Sequence, residues 1–416
     1  MDASFSIRDC AVVVGAGLSL RTGVDFVVRS GMIADIGPGA AKGQGPSCPD
    51  LVVFPGLLNA HTHLGDACLA GRGFGHDPDS LLWPPDGYRH RWMAEAGRAA
   101  VVRGMRHALA HAAASGTVVV ADFRENGLDG VRQLREAADG VGVRTLVFGR
   151  HEHFPLHSDA DLEANTAELS ADQLAEIGRV LDEADGFSPL WANDTSDTGL
   201  EQTARVVRGR GKRLATHAGE TARYRETSRR RTGSGDVERI LRYVAPDFIV
   251  HMTSATREEF RLLAEADTPV VMCPRTQAAL GIGIPPMLEA QDEGVAVALG
   301  TDNAMATPPD VLGEMVFYAR ALRAQARDAA RPTARQMLTA ATLAPAKMLG
   351  LGDTHGQVDV GRPATFFLFD TSAPHLRDFR DPVTALVTVG QSADVTATVV
   401  AGECISGRIP GTEDRS

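Results

Sequence analysis

At 416 residues the chain is long enough to bury a large core, with room for one big α/β domain and a smaller one beside it. Acidic residues (53) outnumber basic ones (42), and the formal net charge of -11 argues against a general nucleic-acid binder or a binder of anionic membranes. The 5 cysteines are odd in number and scattered without a C-x-x-C pair, which argues against a disulfide framework or a thiolate zinc site.

Residues 4–54 contain short β-type runs (Cys10–Val14, Val24–Val28, Met32–Ile36) punctuated by glycine, as in a small antiparallel sheet, and 37–49 reads as a loop. The N-terminus lacks a basic stretch followed by an apolar one, and no run approaches bilayer length, so a cytoplasmic protein is the expectation. From Leu57 to about Ala326 strands alternate with longer amphipathic segments. The expected strands are Leu57–His61, Thr117–Phe123, Arg144–Phe148, Phe187–Ala192, Arg213–His217, Phe248–His251, Pro269–Cys273 and Ala296–Thr301. Eight such units predict a (β/α)8 TIM-type barrel over 56–350. A helix is expected over Thr333–Leu349, followed by strands at Phe366–Phe369, Ala385–Val389 and Val395–Val400. The two ends, 1–55 and 351–416, are expected to pair into one small β-sandwich domain beside the barrel.

The first barrel strand ends in His61-Thr62-His63, and side chains two apart on a strand share a face, so the two imidazoles are placed to share a metal. Three more strands end in ligand-type residues: His217, His251 and Asp302. A barrel brings every strand's C-terminal end to one rim, so the set converges there, whereas an open doubly wound sheet would scatter it. Three imidazoles and a carboxylate suit one borderline divalent cation, Zn or Fe(II), with room for a water whose pKa the ion would lower. Glu220, three residues after His217, is either a proton carrier or a loop or capping residue. Asp302 is a ligand, a base or both, and His251 is a fourth ligand or a polarising group.

These stretches, PGLLNAHTHLGD, THAGET, IVHMTSAT, CPRTQAALGIGIPP and ALGTDNAM, resemble the amidohydrolase superfamily, in its branch of cytosine deaminase and of triazine and S-adenosylhomocysteine aminohydrolases. The ending, GQVDVGRPATFFLFD and TATVVAGECISG, resembles that superfamily's split β-domain. The resemblance implies that His61, His63, His217 and Asp302 hold a single metal, that His251 hydrogen-bonds the water on it, and that Glu220 shuttles protons. Binuclear members bridge two ions with a carboxylated lysine or a glutamate from the barrel's middle strands; only Lys42, Lys212 and Lys347 are present, none in such a place, and this lysine scarcity supports one metal. The chain departs from the family's usual C-P-R-S-N, which reads Cys273-Pro274-Arg275-Thr276-Gln277 here, and from its usual small polar residues after T-D-G or T-D-N, where Asn303-Ala304-Met305-Ala306 follows Asp302, both near the substrate contacts the resemblance implies. Arg275 and Asn303 in those stretches, with Arg124 at the end of the second strand and Arg150 just past the third (in the group Arg150-His151-Glu152-His153), are the candidate substrate-binding residues.

The reaction this implies is hydrolytic release of ammonia from a small nitrogen heterocycle such as a purine, pyrimidine, pterin or nucleoside derivative. Cyclic-amide hydrolysis, or displacement of another leaving group such as halide, is the alternative for the same site, and a metal-free binding barrel is the alternative from another class. A small-molecule substrate, no nucleic acid and no membrane are expected as partners, and the resemblance is compatible with a homodimer. The 65–90 loop, with Trp83, Pro84, Pro85 and Tyr88, is expected to wall the pocket, and Arg223–Arg231 to be a solvated basic loop.

Overall fold

The computed structural model describes residues 4–82, 87–189 and 191–412, so Trp83, Pro84 and Pro85 of the expected pocket wall lie outside the described residues. The barrel strands are Leu57–His63, Thr117–Arg124, Arg144–Gly149, Gly186–Phe187, Arg213–Ala218, Phe248–His251, Val270–Met272 and a split eighth strand, Val297–Leu299 then Asp302–Asn303. Each pairs in parallel with its neighbour in chain order. The eighth strand pairs by its first half with the seventh and by its second half with the first, which closes the barrel. Asn59 locks that seam: its side-chain amide donates to Thr301 Oγ1 at 2.8 Å and its carbonyl oxygen accepts from Thr301 N–H at 3.1 Å. At Gly300 an added Cβ would come within 2.9 Å of the His61 Cβ, so only glycine lets the eighth strand pass this close.

Small and aromatic side chains fill the barrel interior, among them Leu58, Ala60, Phe123, Phe148, Phe248 and Val250. Phe123 stacks on Phe148 at 5.0 Å and meets the His61 ring edge-on at 4.3 Å, so the histidines rest on an aromatic floor. Helices cover the outside, including Tyr88–Ala114, Gly127–Ala138, Ala171–Glu183, Asp197–Gly209, Arg257–Glu265 and Val311–Ala326.

Both termini contribute to a second, seven-stranded sheet, in which Leu51–Pro55 lies between Phe5–Val14 and Phe366–Asp370. Two strands intervene between Phe26 and Phe366, a separation of roughly 14 Å in a flat sheet, yet their ring centroids are 5.0 Å apart. The expected small β-domain is therefore one strongly curled sheet that packs one face against itself. Gly56 separates its strand Leu51–Pro55 from the first barrel strand, and an added Cβ there would clash with Val118 at 2.6 Å.

Four expectations are corrected. Ala385–Val389 belongs to a helix, Pro382–Val389, because the Asp381 carboxylate accepts from Val383 and Thr384 N–H and Pro382 occupies the first turn. The cap overrides the β-branched composition. The single helix expected over Thr333–Leu349 is two, Ala334–Ala341 and Leu343–Met348, broken at Thr342, since Pro345 has no N–H to continue the first. The fourth strand shrinks to Gly186–Phe187 and gives way to a 3-10 turn at Ala192–Asp194. The Arg223–Arg231 segment is helical, within Ala222–Thr232, and Arg225, Arg230 and Arg231 pair with Glu259 and Glu163. Among the described residues no helix is long and apolar enough to cross a membrane.

Candidate active site

His61, His63, His217, His251 and Asp302 meet at the C-terminal rim of the barrel, all buried. Ring centroids lie 4.9 Å apart for His61 and His63, 5.0 Å for His61 and His217, and 5.0 Å for His217 and His251. Asp302 Oδ1 lies 3.2 Å from His61 Nε2 and 3.5 Å from His63 Nε2. A tetrahedral ion with ligands at about 2.1 Å sets neighbouring ligand atoms about 3.4 Å apart, so these spacings match what such an ion requires. Within each of the sets His61, His63, His217 and His61, His251, Asp302 the ligand atoms lie within 4.8 Å of one another, and His61 Nδ1 is buried with no hydrogen-bond partner. The donor set fits a divalent metal.

Local backbone geometry sets this convergence. His251, Met252 and Asp302 have φ of 86°, 55° and 60°, left-handed values that non-glycine residues seldom adopt and that concentrate at functional sites. Gly219, at φ 59°, turns the chain between His217 and Glu220, and the Asp236 carboxylate holds that turn by accepting from Gly219 N–H at 2.8 Å. Asp122 Oδ2 accepts from Thr62 Oγ1 and Leu64 N–H, fixing the end of the first strand.

Burial pushes the His61 imidazole down to about 3, and burial with the Arg150 charge carries His217 well below the usual histidine range, so both rings are neutral donors near pH 7. Burial alone would raise the Asp302 carboxyl, but the His61 hydrogen bond and the surrounding histidines hold it below the usual carboxylate range. His63 Nδ1 faces two acceptors, the Phe123 carbonyl and Glu125 Oε1, each at 3.1 Å. That nitrogen must carry the proton, leaving the Nε2 lone pair toward Asp302. Glu125 in turn joins Arg89 and Arg124, which hold it well below the carboxylate range despite its burial.

Glu220 and His251 are linked by Gln277. Its amide donates to Glu220 Oε1 and to His251 Nδ1, each at 3.2 Å, while its carbonyl accepts from Thr253 Oγ1 at 3.0 Å. With Nδ1 accepting, a neutral His251 carries its proton on Nε2, which lies 3.7 Å from Glu220 Oε1.

A cavity of about 240 Å³ opens over this cluster, and His63, His217, Glu220, His251, Asp302, Asn303 and Arg150 line it. Two of the candidate substrate contacts do not reach it. Arg124 is 1% exposed, its guanidinium committed to Asp122 and Glu125 behind the rim. Arg275 turns outward to Glu314 and Asp310 and lines a separate groove. An arginine at or near a strand end points either into the cavity or toward the covering helices, and spacing alone does not distinguish the two.

Gln277, Glu125 and Trp191 were not among the candidate site residues. Gln277 follows the seventh strand as Glu220 follows the fifth, which was the available signal. Glu125 sits one residue past the second strand, beside Arg124. Trp191 bridges in register to His217 and stacks on Tyr224 at 5.4 Å, where the fourth strand had been extended too far to single it out.

The amidohydrolase family profile matches residues 52–405. A 5-methylthioadenosine/S-adenosylhomocysteine deaminase of Halobacterium salinarum is 30% identical over 92% of this chain and 89% of its own. One from Moorella thermoacetica is 28% identical over 97% of this chain and 94% of its own. Among solved structures, a zinc-bound adenosine deaminase from Xanthomonas campestris superimposes with a TM-score of 0.83 at 27% identity, covering 96% of this chain and 92% of that one.

Proposed function

The chain belongs to the amidohydrolase family, and we propose that it is a metal-dependent aminohydrolase releasing ammonia from a small nitrogen heterocycle. The observation that carries this reading is the Gln277 bridge, which sets a carboxylate and an imidazole side by side over the histidine and aspartate cluster. The named deaminase relatives support it. We assign His61, His63, His217 and Asp302 as ligands of one divalent ion, zinc or iron(II). Such an ion supplies Lewis acidity that makes a water nucleophilic near neutral pH.

Glu220 accepts the proton that the attacking water loses and passes it to the ring nitrogen next to the carbon under attack. The new C–O bond forms as that nitrogen is protonated. Asp302 takes the remaining proton of the former water, Glu220 relays it to the exocyclic amine, the C–N bond breaks, and ammonia leaves a carbonyl behind. His251, its Nδ1 occupied by Gln277, offers Nε2–H to oxygen as negative charge develops there. Asn303 and Arg150 line the same cavity and are assigned to substrate contact.

Lys212 Nζ donates to the Ala184 carbonyl, away from the rim, so it cannot bridge two ions. One metal per chain is therefore expected on elemental analysis, with ammonia from one class of purine, pyrimidine, pterin or nucleoside. Glu220→Gln is expected to keep the metal and lower kcat by roughly 10²- to 10⁴-fold. One metal with ring-opened product and no ammonia would replace deamination by cyclic-amide hydrolysis. Undiminished turnover after the Glu220→Gln substitution would remove the proton-carrying role.

A further inference from the structure

His151 and Glu176 form a dyad that the proposed chemistry does not use. His151 follows the third barrel strand, is 2% exposed and lines the cavity. Its Nδ1–H donates to Glu176 Oε2 at 2.8 Å, and the other carboxylate oxygen of Glu176 accepts from Glu152 N–H at 2.7 Å. Glu176 stands on the covering helix Ala171–Glu183, so the ring is gripped from outside the barrel. Phe187 packs edge-on against it at 5.4 Å. The remaining polar atom, Nε2, is buried and has no hydrogen-bond partner.

Such an arrangement is costly unless something satisfies it, because a buried polar atom without a partner forfeits its hydration. The carboxylate fixes the tautomer: with the proton held on Nδ1, the lone pair falls on Nε2. Strand order supplies its position relative to the chemistry. In an eight-stranded barrel the third strand lies across from the seventh, whose end leads to Gln277, flanked by Glu220 and His251 from the fifth and sixth. His151 therefore lies across the rim from Gln277 and a quarter turn from Glu220, on the side whose strands, the second to the fourth, supply none of the proposed metal ligands.

We infer that His151, oriented by Glu176, is a specificity-determining residue whose Nε2 accepts a hydrogen bond from a hydroxyl or amine on the part of the substrate remote from the reacting carbon. The inference rests on the heterocycle reading above and narrows it to heterocycles bearing a donor-rich substituent, such as a sugar, over the bare ring.

The test is ammonia release by the zinc-loaded protein from three nucleoside and base pairs: adenosine and adenine, guanosine and guanine, cytidine and cytosine. For the wild type, kcat/KM is expected to favour the nucleoside of the reactive pair. His151→Leu is expected to lower the nucleoside-to-base ratio roughly tenfold or more, chiefly through KM. Glu176→Leu, which frees the ring, lowers the same ratio. Thermal melting checks that both variants fold, and a ratio within one protein cancels any loss of folded enzyme. A ratio that stays constant in both variants, or a wild type that prefers the bare base, overturns the inference and leaves the deaminase reading intact. No ammonia from any of the six compounds, with metal present, counts against the heterocycle reading itself, and this inference falls with it.

Discussion

At the scale of single residues, the site depends on which nitrogen of each histidine is committed elsewhere. His63 is the clearest case, since the Phe123 carbonyl and Glu125 both take its Nδ1–H and leave Nε2 toward Asp302. Groups that orient a ligand in this way commonly matter almost as much as the ligand. Glu125→Gln is therefore expected to weaken metal affinity roughly 10- to 100-fold, measured by competition with a fluorescent chelator. Unchanged affinity would mean that the Phe123 carbonyl alone orients His63. The positions of the histidine pair and of Glu220 at the rim were visible in sequence because residues at a strand end follow a period of two and a short offset. Glu125 was not, because only packing shows that its carboxylate turns back to a ring on the neighbouring strand.

At the scale of elements, the barrel's seam and the helix after it carry separate predictions. Asn59 is fully buried and bonds twice to Thr301 across the closing strands. Asn59→Leu strands the Thr301 groups and should cost about 1–3 kcal/mol, read from urea unfolding. A loss near zero would show that the ladder alone holds the seam. On the helix Val311–Ala326, burial pushes the Glu314 carboxyl up to about 8, against the opposing effect of Arg275. Its folded value lies above its ordinary one of 4.5, so its contribution to stability is full below that value and disappears as pH rises through about 8. Glu314→Gln should flatten this decline, compared by urea midpoints at about pH 5 and about pH 8.5. An equal decline in the variant would assign the slope to other groups.

At the scale of the whole molecule, the residues proposed as ligands come from the first, fifth and eighth strands, so an ion that binds them would tie the barrel's closure to its middle. A ligand bound only by the folded state stabilises by about 2.7 kcal/mol when its free concentration is 100 times its dissociation constant. Chelation is therefore expected to lower the melting temperature and added zinc to restore it. His217→Ala should lose most of that difference. A melting temperature indifferent to chelator and metal would argue that the cluster is not a metal site.

The sequence by itself determined the barrel, the pairing of the two termini and the set of residues at the rim. Periodicity and strand-end position are local properties, and the parallel barrel maps one onto the other without further information. It did not determine which arginines face the cavity, that Gln277 joins Glu220 to His251, or that Ala385–Val389 is helical. Those outcomes depend on groups distant along the chain or on a cap whose strength against β-propensity varies with packing. Arg124, Arg150 and Arg275 all sit at or near strand ends, yet Arg124 folds back on Asp122 and Glu125, Arg275 turns to Glu314 and Asp310, and Arg150, itself near Glu125, lines the cavity. Only side-chain packing in the folded barrel decides which guanidinium turns behind the rim and which lines the cavity.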